Sequence, residues 1–207
     1  MSGLLYISAS PRGTESISSA IAETFVDEYL TTHPGHVVDR FDLWDGTLPE
    51  FGPAAARAKM TVFGGGTPEG EQAEAWAAAV RTFERFDSYD RYLFSVPMWN
   101  SGVPYKLKQF IDVVSQPAKV FDVHPETGYR GLLTGKRAAV VYTSAVWGPG
   151  LGPEFGNDFQ STFFDGWLRW AGVADIQEIR HHPTLTGSYD IARKQADERA
   201  RQIARTF

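Results

Sequence analysis

The sequence predicts an α/β fold with helices on both faces of a five-stranded parallel sheet, and three features point there. Strand-like and helix-like patterns alternate along the whole chain. Three of the strand patterns are apolar throughout, while two mix apolar with charged residues. The 207 residues carry no repeat, low-complexity tract or linker, so a single domain over 1–207 with one sizeable core is expected.

Leu4-Leu5-Tyr6-Ile7 reads as a short, continuously apolar first strand. Ile17, Ala20, Ile21 and Phe25 then recur at helical spacing, and Pro34-Gly35 ends that helix. Val37 to Phe41 interleaves Asp39 and Arg40 with apolar residues, as a partly covered strand does. The stretch from Trp44 to Pro68, punctuated by Gly64 to Gly66, is expected to be irregular. An Ala-rich helix from Glu69 to Phe86 leads into the apolar strand Tyr92 to Val96. Pro104 opens the next helix, whose Leu107, Phe110, Ile111 and Val114 share a face. A polar excursion from Asp122 to Gly131 precedes the apolar strand Ala138 to Tyr142. A helix from Asp158 to Trp170, a half-polar strand from Val173 to Ile179 and a helix from Ser188 to Arg205 complete the pattern.

Strands covered on both sides are apolar along their length, whereas edge strands are not. Putting the two mixed strands outside gives the order 2-1-3-4-5, the flavodoxin-like three-layer sandwich. Its ligand crevice lies at the switch point between strands one and three. The loops after strands one, three and four are therefore the candidate site.

Composition removes several kinds of chemistry. The chain has no cysteine, which excludes disulfides, thiolate nucleophiles, and iron–sulfur or zinc sites built on thiolates. Twenty Lys and Arg against 25 Asp and Glu leave a formal charge of −5, and no basic face collects for nucleic acid. The apolar runs are strand-length, and no basic segment precedes the first of them, so neither a membrane span nor a secretion signal is expected. A cytoplasmic protein follows as the expectation. His33, His36, His124 and the pair His181-His182 share no helical face with a carboxylate at metal-ligand spacing, so no metal site is expected. His181-His182 end the last strand, away from the switch point. Gly131-Leu-Leu-Thr-Gly135-Lys136 has one residue too few for a P-loop and precedes a strand instead of following one. A Gly-x-Ser-x-Gly elbow is absent from the sequence.

The first loop, Ser8 to Ser19, supplies Ser10, Thr14, Ser16 and Ser18 hydroxyls with Arg12, and enters a helix near Ser16. Helix-terminal amides joined by hydroxyls bind phosphate. Ser and Thr equally favour plain helix caps, so this loop alone leaves both readings open. Glu15 must point away from any dianion. The second loop, Pro97-Met98-Trp99-Asn100-Ser101-Gly102-Val103-Pro104, places a flat aromatic, an amide and shaped backbone where a planar heterocycle would rest. The third, Thr143 to Gly152, is small and glycine-rich; taken alone it reads as an ordinary connection.

These segments resemble the FMN-dependent NAD(P)H azoreductase and quinone reductase family. The resemblance rests on Ser10 with Ser16-Ile17-Ser18, on Pro97-Met98-Trp99-Asn100 with Leu107 to Asp112, and on Gly131 to Lys136. Ser161-Thr162-Phe163 and Trp170 to Val173 extend it over nearly the whole chain. It implies that Ser10, Arg12, Ser16, Ile17 and Ser18 hold the FMN phosphate. Pro97, Met98, Trp99, Asn100 and Ser101 would line the isoalloxazine ring. Ser144, Ala145, Val146, Trp147 and Gly148 would approach its pyrimidine edge, and Phe121 would stand near the substrate at a homodimer interface. Trp99 replaces the family's usual Tyr, Ser101 replaces a bulkier aromatic, and Ala145-Val146-Trp147 interrupts a usual Gly-Gly pair.

The activity so implied is two-electron transfer from NADH or NADPH, by a ping-pong route, to a small aromatic acceptor such as a quinone or azo compound. The flavin N5 carries that chemistry, and no side-chain catalyst is required. The alternatives are a specialised reductase for one metabolite, a flavodoxin-type electron carrier and a binding protein that keeps only the fold.

Overall fold

The protein is described by a computed structural model covering residues 3–185 and 188–207. Five strands form the main sheet: β1 (Gly3–Ser8), β2 (Val37–Asp42), β3 (Arg91–Pro97), β6 (Arg137–Thr143) and β7 (Asp175–His181). They run parallel in the order β2-β1-β3-β6-β7, which is 2-1-3-4-5 counted over the sheet strands alone. Two shorter strands, β4 (Phe121–His124) and β5 (Gly128–Gly131), pair antiparallel outside it. The helices are α1 (Ile17–Thr32), α2 (Pro53–Phe63), α3 (Glu71–Asp87), α4 (Tyr105–Val114), α5 (Ser161–Ala171) and α6 (Tyr189–Ala204).

Because strand side chains alternate between faces, the central strands build two cores. Leu4, Tyr6, Leu93, Ala139 and Val141 pack beneath α1 and α6 with Phe25, Tyr29 and Ile203. Leu5, Ile7, Tyr92, Phe94, Val140 and Tyr142 pack beneath α3, α4 and α5 with Phe86, Phe110, Phe164 and Trp167. Both faces of β1, β3 and β6 are thus buried, and this double burial explains their unbroken apolar character. β2 and β7 each have one neighbour and keep exposed charged positions.

Four departures from the sequence reading have local causes. The stretch expected to be irregular contains α2, which begins at Pro53 and buries only Ala55 and Ala58. Two small residues make no apolar stripe to read, although proline at the first turn and an alanine run favour a helix. The polar excursion is the β4–β5 hairpin, whose exposed residues hide its alternation. It docks where Gly131 meets the end of α5: a Cβ at Gly131 would stand 2.3 Å from the Gly172 nitrogen. The fifth helix starts at Ser161 because Asp158 stays outside it, its Oδ1 accepting from the Gln160 and Ser161 amides at 3.1 and 2.8 Å. The last strand starts at Asp175, since the Val173 amide still closes the helix end on the Leu168 carbonyl at 2.9 Å.

Candidate functional site

The first loop leaves β1, makes one tight turn at Gly13–Glu15 and enters α1. Ser16 caps that helix: its Oγ accepts from the Ser19 amide at 3.2 Å and lies 3.1 Å from Ser18 Oγ. Ser10 Oγ accepts from the Arg12 amide at 3.3 Å. Ser10, Ser16 and Ser18 are all buried. The Ile17 and Ser18 amides open the helix, where no carbonyl four residues back can satisfy them, and the helix dipole adds positive potential there. Glu15 turns to solvent and faces the Arg12 guanidinium at 3.8 Å, which removes its conflict with an anion. Below the loop, Tyr6 donates to Ser95 Oγ at 3.2 Å and Ser19 Oγ lies 3.4 Å from the same oxygen, a hydroxyl floor under the helix start.

The second loop continues β3. The Met98 amide donates to the Thr143 carbonyl at 2.7 Å, then Trp99 and Gly102 exchange backbone hydrogen bonds at 2.9 and 3.0 Å. Asn100 and Ser101, at the tip between them, both have positive φ, 50° and 66°. That conformation is uncommon for residues with a Cβ and is tolerated best by Asn in tight hairpin turns. It throws the Trp99 indole outward, leaving it 45% exposed although it is among the largest apolar side chains present. The Ser101 carbonyl accepts from the Phe159 amide at 3.0 Å and so seats the segment that follows the third loop.

The third loop is tied from outside itself. Ser144 Oγ donates to the Trp147 carbonyl and lies 2.7 Å from His182 Nδ1. The Thr184 and Leu185 amides donate to the Ser144 and Ala145 carbonyls at 2.9 and 3.0 Å. The Trp147 indole stands edge-on to the His182 ring at 5.1 Å, and a Cβ at Gly148 would press on Pro183. Burial, with Arg180 adding to it, lowers the His182 pKa to about 4 and keeps the ring neutral. Nearby, Tyr142 donates to Asp165 Oδ1 at 2.6 Å, and burial raises the Asp165 pKa.

Three loops thus converge on a cleft of about 320 Å³. Arg12, Ile17, Pro97, Met98, Trp99, Asn100, Ser144 and Ala145 line it. Ser10, Ser16 and Ser18 belong to the loop that closes one end. Ser101, Val146, Trp147 and Gly148 do not line it: Ser101 faces the Phe159 segment, Val146 is exposed and the other two contact the chain after β7. Across Trp99 and Asn100 lies a second hollow of about 350 Å³, walled by Pro11, Trp44, Val103, Pro104 and Tyr105. A wider hollow of about 540 Å³ opens between α1 and β2, but Arg40 at its rim is already paired with Glu23. Gly13, Thr14 and Ser19 of the first loop line it as well.

Phe121 is not brought to its own chain's cleft. It is 5% exposed in an aromatic cluster, 5.0 Å from Trp170 and 5.5 Å from Tyr129, with Lys59 Nζ 5.7 Å from its ring. Four further residues join the site. Thr143 and Thr184 line the cleft, His182 ties the third loop, and Gln160 lies beneath the strand ends. Gln160 Nε2 donates to the Val96 carbonyl at 2.7 Å and reaches the Thr143 carbonyl at 3.4 Å. The strand order makes the loops after β6 and β7 neighbours, without specifying the Ser144 contact. Two sites that are structurally distant by chain number are adjacent for that reason, and His182 is not remote from the site.

The donor set fits FMN. A capped helix start suits a phosphate, flat Met98 and Trp99 surfaces suit a tricyclic ring, and amides with a hydroxyl suit its polar edge. Among the described residues, no group of three or more His, Asp or Glu stands together to hold a metal ion, and no helix is long and apolar enough to cross a membrane.

Comparison with known proteins agrees with this geometry. A family model described as a flavodoxin-like fold matches residues 2–205. An FMN-dependent NADH:quinone oxidoreductase of Ruegeria pomeroyi is 44% identical over 185 residues, covering 89% of this chain and 91% of that protein. One of Nitratidesulfovibrio vulgaris is 39% identical over 210 residues, covering 100% of both chains. The crystal structure of an azoreductase from Bacillus anthracis shares the fold at TM-score 0.90 and 24% identity, with 100% of each chain covered. Fold order, cleft and sequence kinship agree, and the chain belongs to the flavodoxin-like family that includes the FMN-dependent NADH:quinone oxidoreductases.

Proposed function

We propose that this protein is an FMN-dependent oxidoreductase that takes electrons from NADH and passes them in pairs to quinones or azo compounds. The observation that carries the reading is the convergence of the three loops on one cleft, with a buried hydroxyl cradle at one end and Trp99 and Met98 along its wall. Bound there, FMN would supply ping-pong two-electron chemistry, reduced by the nicotinamide and reoxidised by the acceptor.

The chain's own residues bind, orient and exclude water. Ser10, Ser16 and Ser18, with the amides at the start of α1, hold the phosphate, and Arg12 adds a solvent-facing charge. Ile17 gives that end an apolar wall. Met98 and Trp99 offer surface to the ring, and Asn100 offers both a donor and an acceptor to its edge. Backbone amides at Ser144 and Ala145, the part of the third loop that lines the cleft, would stabilise negative charge at the pyrimidine edge, by the logic of an oxyanion hole. The aromatic hollow across Trp99, free of charged lining residues, suits a flat neutral acceptor.

We further infer a homodimer acting in the cytoplasm, where NADH is available. Met60, Phe63, Val123 and Tyr129 are exposed around the Phe121 cluster, an apolar surface of the kind that partners cover. This face would bring Phe121 toward the partner's cleft and not its own.

The test is the visible spectrum of the protein with FMN, before and after anaerobic NADH and NADPH. Flavin that binds, bleaches with NADH and recovers on adding a quinone is the expected result. Flavin that binds without bleaching would make the protein an electron carrier. Failure to bind would overturn the reading.

A further inference from the structure

The hydrogen bonds around Ser144 assign a proton. A carbonyl oxygen only accepts, so the single hydroxyl hydrogen of Ser144 is committed to the Trp147 carbonyl. The 2.7 Å contact between Ser144 Oγ and His182 Nδ1 then needs its hydrogen from the imidazole. A neutral ring that carries its proton on Nδ1 has a bare lone pair at Nε2. That nitrogen is shut away from solvent and, among the described residues, has no hydrogen-bond partner.

An orphaned buried acceptor costs free energy that an apolar side chain of similar shape would avoid. The feature histidine offers in exchange is the Nδ1–H donation. It completes a directed chain, from His182 to Ser144 to the Trp147 carbonyl, which joins the end of the last sheet strand to the third loop. Ser144 lines the cleft, while Val146 and Trp147 do not. With its hydrogen spent and one lone pair used, Ser144 Oγ can offer a ligand only an acceptor.

We propose that His182 is a positioning residue which fixes Ser144 as a hydrogen-bond acceptor for the imide N–H of a pyrimidine-type ring edge. The inference rests on the FMN reading for the identity of that ring. It explains why a loop without the expected glycine pair still offers ordered polar groups: the order comes from the segment after β7.

Two measurements test it. Long-range ¹H–¹⁵N spectra of the labelled protein, with and without FMN, should show His182 protonated at Nδ1, the minority tautomer of a free imidazole. Protonation at Nε2 overturns the proposal. FMN affinity is then measured for Ser144→Ala, His182→Leu and the double variant. Each single change should weaken binding roughly tenfold, the worth of one hydrogen bond. The double variant should bind no worse than the singles, because both remove one device. His182→Asn, whose side-chain amide still donates, should recover most of the loss and serves where His182→Leu folds poorly. Additive losses, or full affinity in His182→Leu, overturn the proposal. Wild-type protein that binds no FMN would sink the functional reading and the ligand named here together, while the tautomer spectrum would still report on the Ser144 geometry.

Discussion

The first and third loops bound the same cleft but are held in opposite ways. Between Ser10 and Ser19 the hydrogen bonds that shape the backbone turn span two or three residues, Arg12 amide to Ser10, Ser19 amide to Ser16, and Ser16 with Ser18, while the Ser19 hydroxyl rests on Ser95 below. Between Ser144 and Gly148 the decisive contacts reach His182, Thr184 and Leu185. A cradle made of near neighbours forms wherever a strand delivers it. A loop held across the sheet takes its shape only when the neighbouring strand is in place. The first loop therefore withstands changes elsewhere, and the third is exposed to them.

The largest expected effect breaks the local side of this comparison. Replacing Ser16 and Ser18 together by Ala should weaken FMN binding by about 3 kcal/mol, over a hundredfold in Kd, since hydrogen bonds to a charged group are among the strongest. Flavin fluorescence titration reads this directly, and unchanged affinity would refute the phosphate assignment. The fold should survive with the cost of a lost helix cap, about 1 kcal/mol.

Gln160→Leu strikes the long-range side. It deprives the Val96 carbonyl of a buried donor at the end of β3 and loosens the link to Thr143. A loss of about 2 kcal/mol in unfolding free energy is expected. Urea denaturation checks it, with native-state hydrogen exchange at Met98, whose amide bonds the Thr143 carbonyl.

Acid should separate the two loops next. The folded His182 pKa is lowered from 6.5 to about 4, so the unfolded chain binds more protons between those values. Its contribution to stability is present above pH 6.5 and fades as pH falls toward 4. Discounting for partial solvent access, His182→Leu should lose about 1.5 kcal/mol less than wild type between pH 7 and pH 5. Asp165, raised by burial, favours the fold as pH falls and works the other way. Comparing wild type with variant at each pH cancels that contribution, and thermal unfolding is the readout.

The smallest effect belongs to Arg12→Ala. Its pairing with Glu15 is long and solvent-exposed, so stability should change by under about 1 kcal/mol. FMN affinity should become less salt-dependent, which titration at two ionic strengths would show.

The same contrast explains what could be read in advance. The gathering of Ser10, Ser16, Ile17 and Ser18 at the start of α1 was legible because helix capping needs only local order. The place of Met98, Trp99 and Asn100 on the cleft wall was legible because a turn punctuated by Pro and Gly after an apolar strand falls at the switch point of the sheet. α2 was hidden because two buried alanines leave no stripe, and the β4–β5 hairpin because its residues are mostly exposed. His182 was passed over because solvated loop histidines are common and nothing near it in sequence marks its partner.

Strand character and the order 2-1-3-4-5 were determined by the sequence itself, because burial on two faces or one dictates how apolar a strand must be. The helix cap at Ser16 was determined likewise, by bonds that close within one turn. Only the tertiary structure decided that Ser144 meets His182, that Gln160 ties two strand ends and that Phe121 turns from its own cleft into an aromatic cluster. Those contacts join residues up to 64 positions apart, and their geometry exists only after parallel strands have been laid side by side.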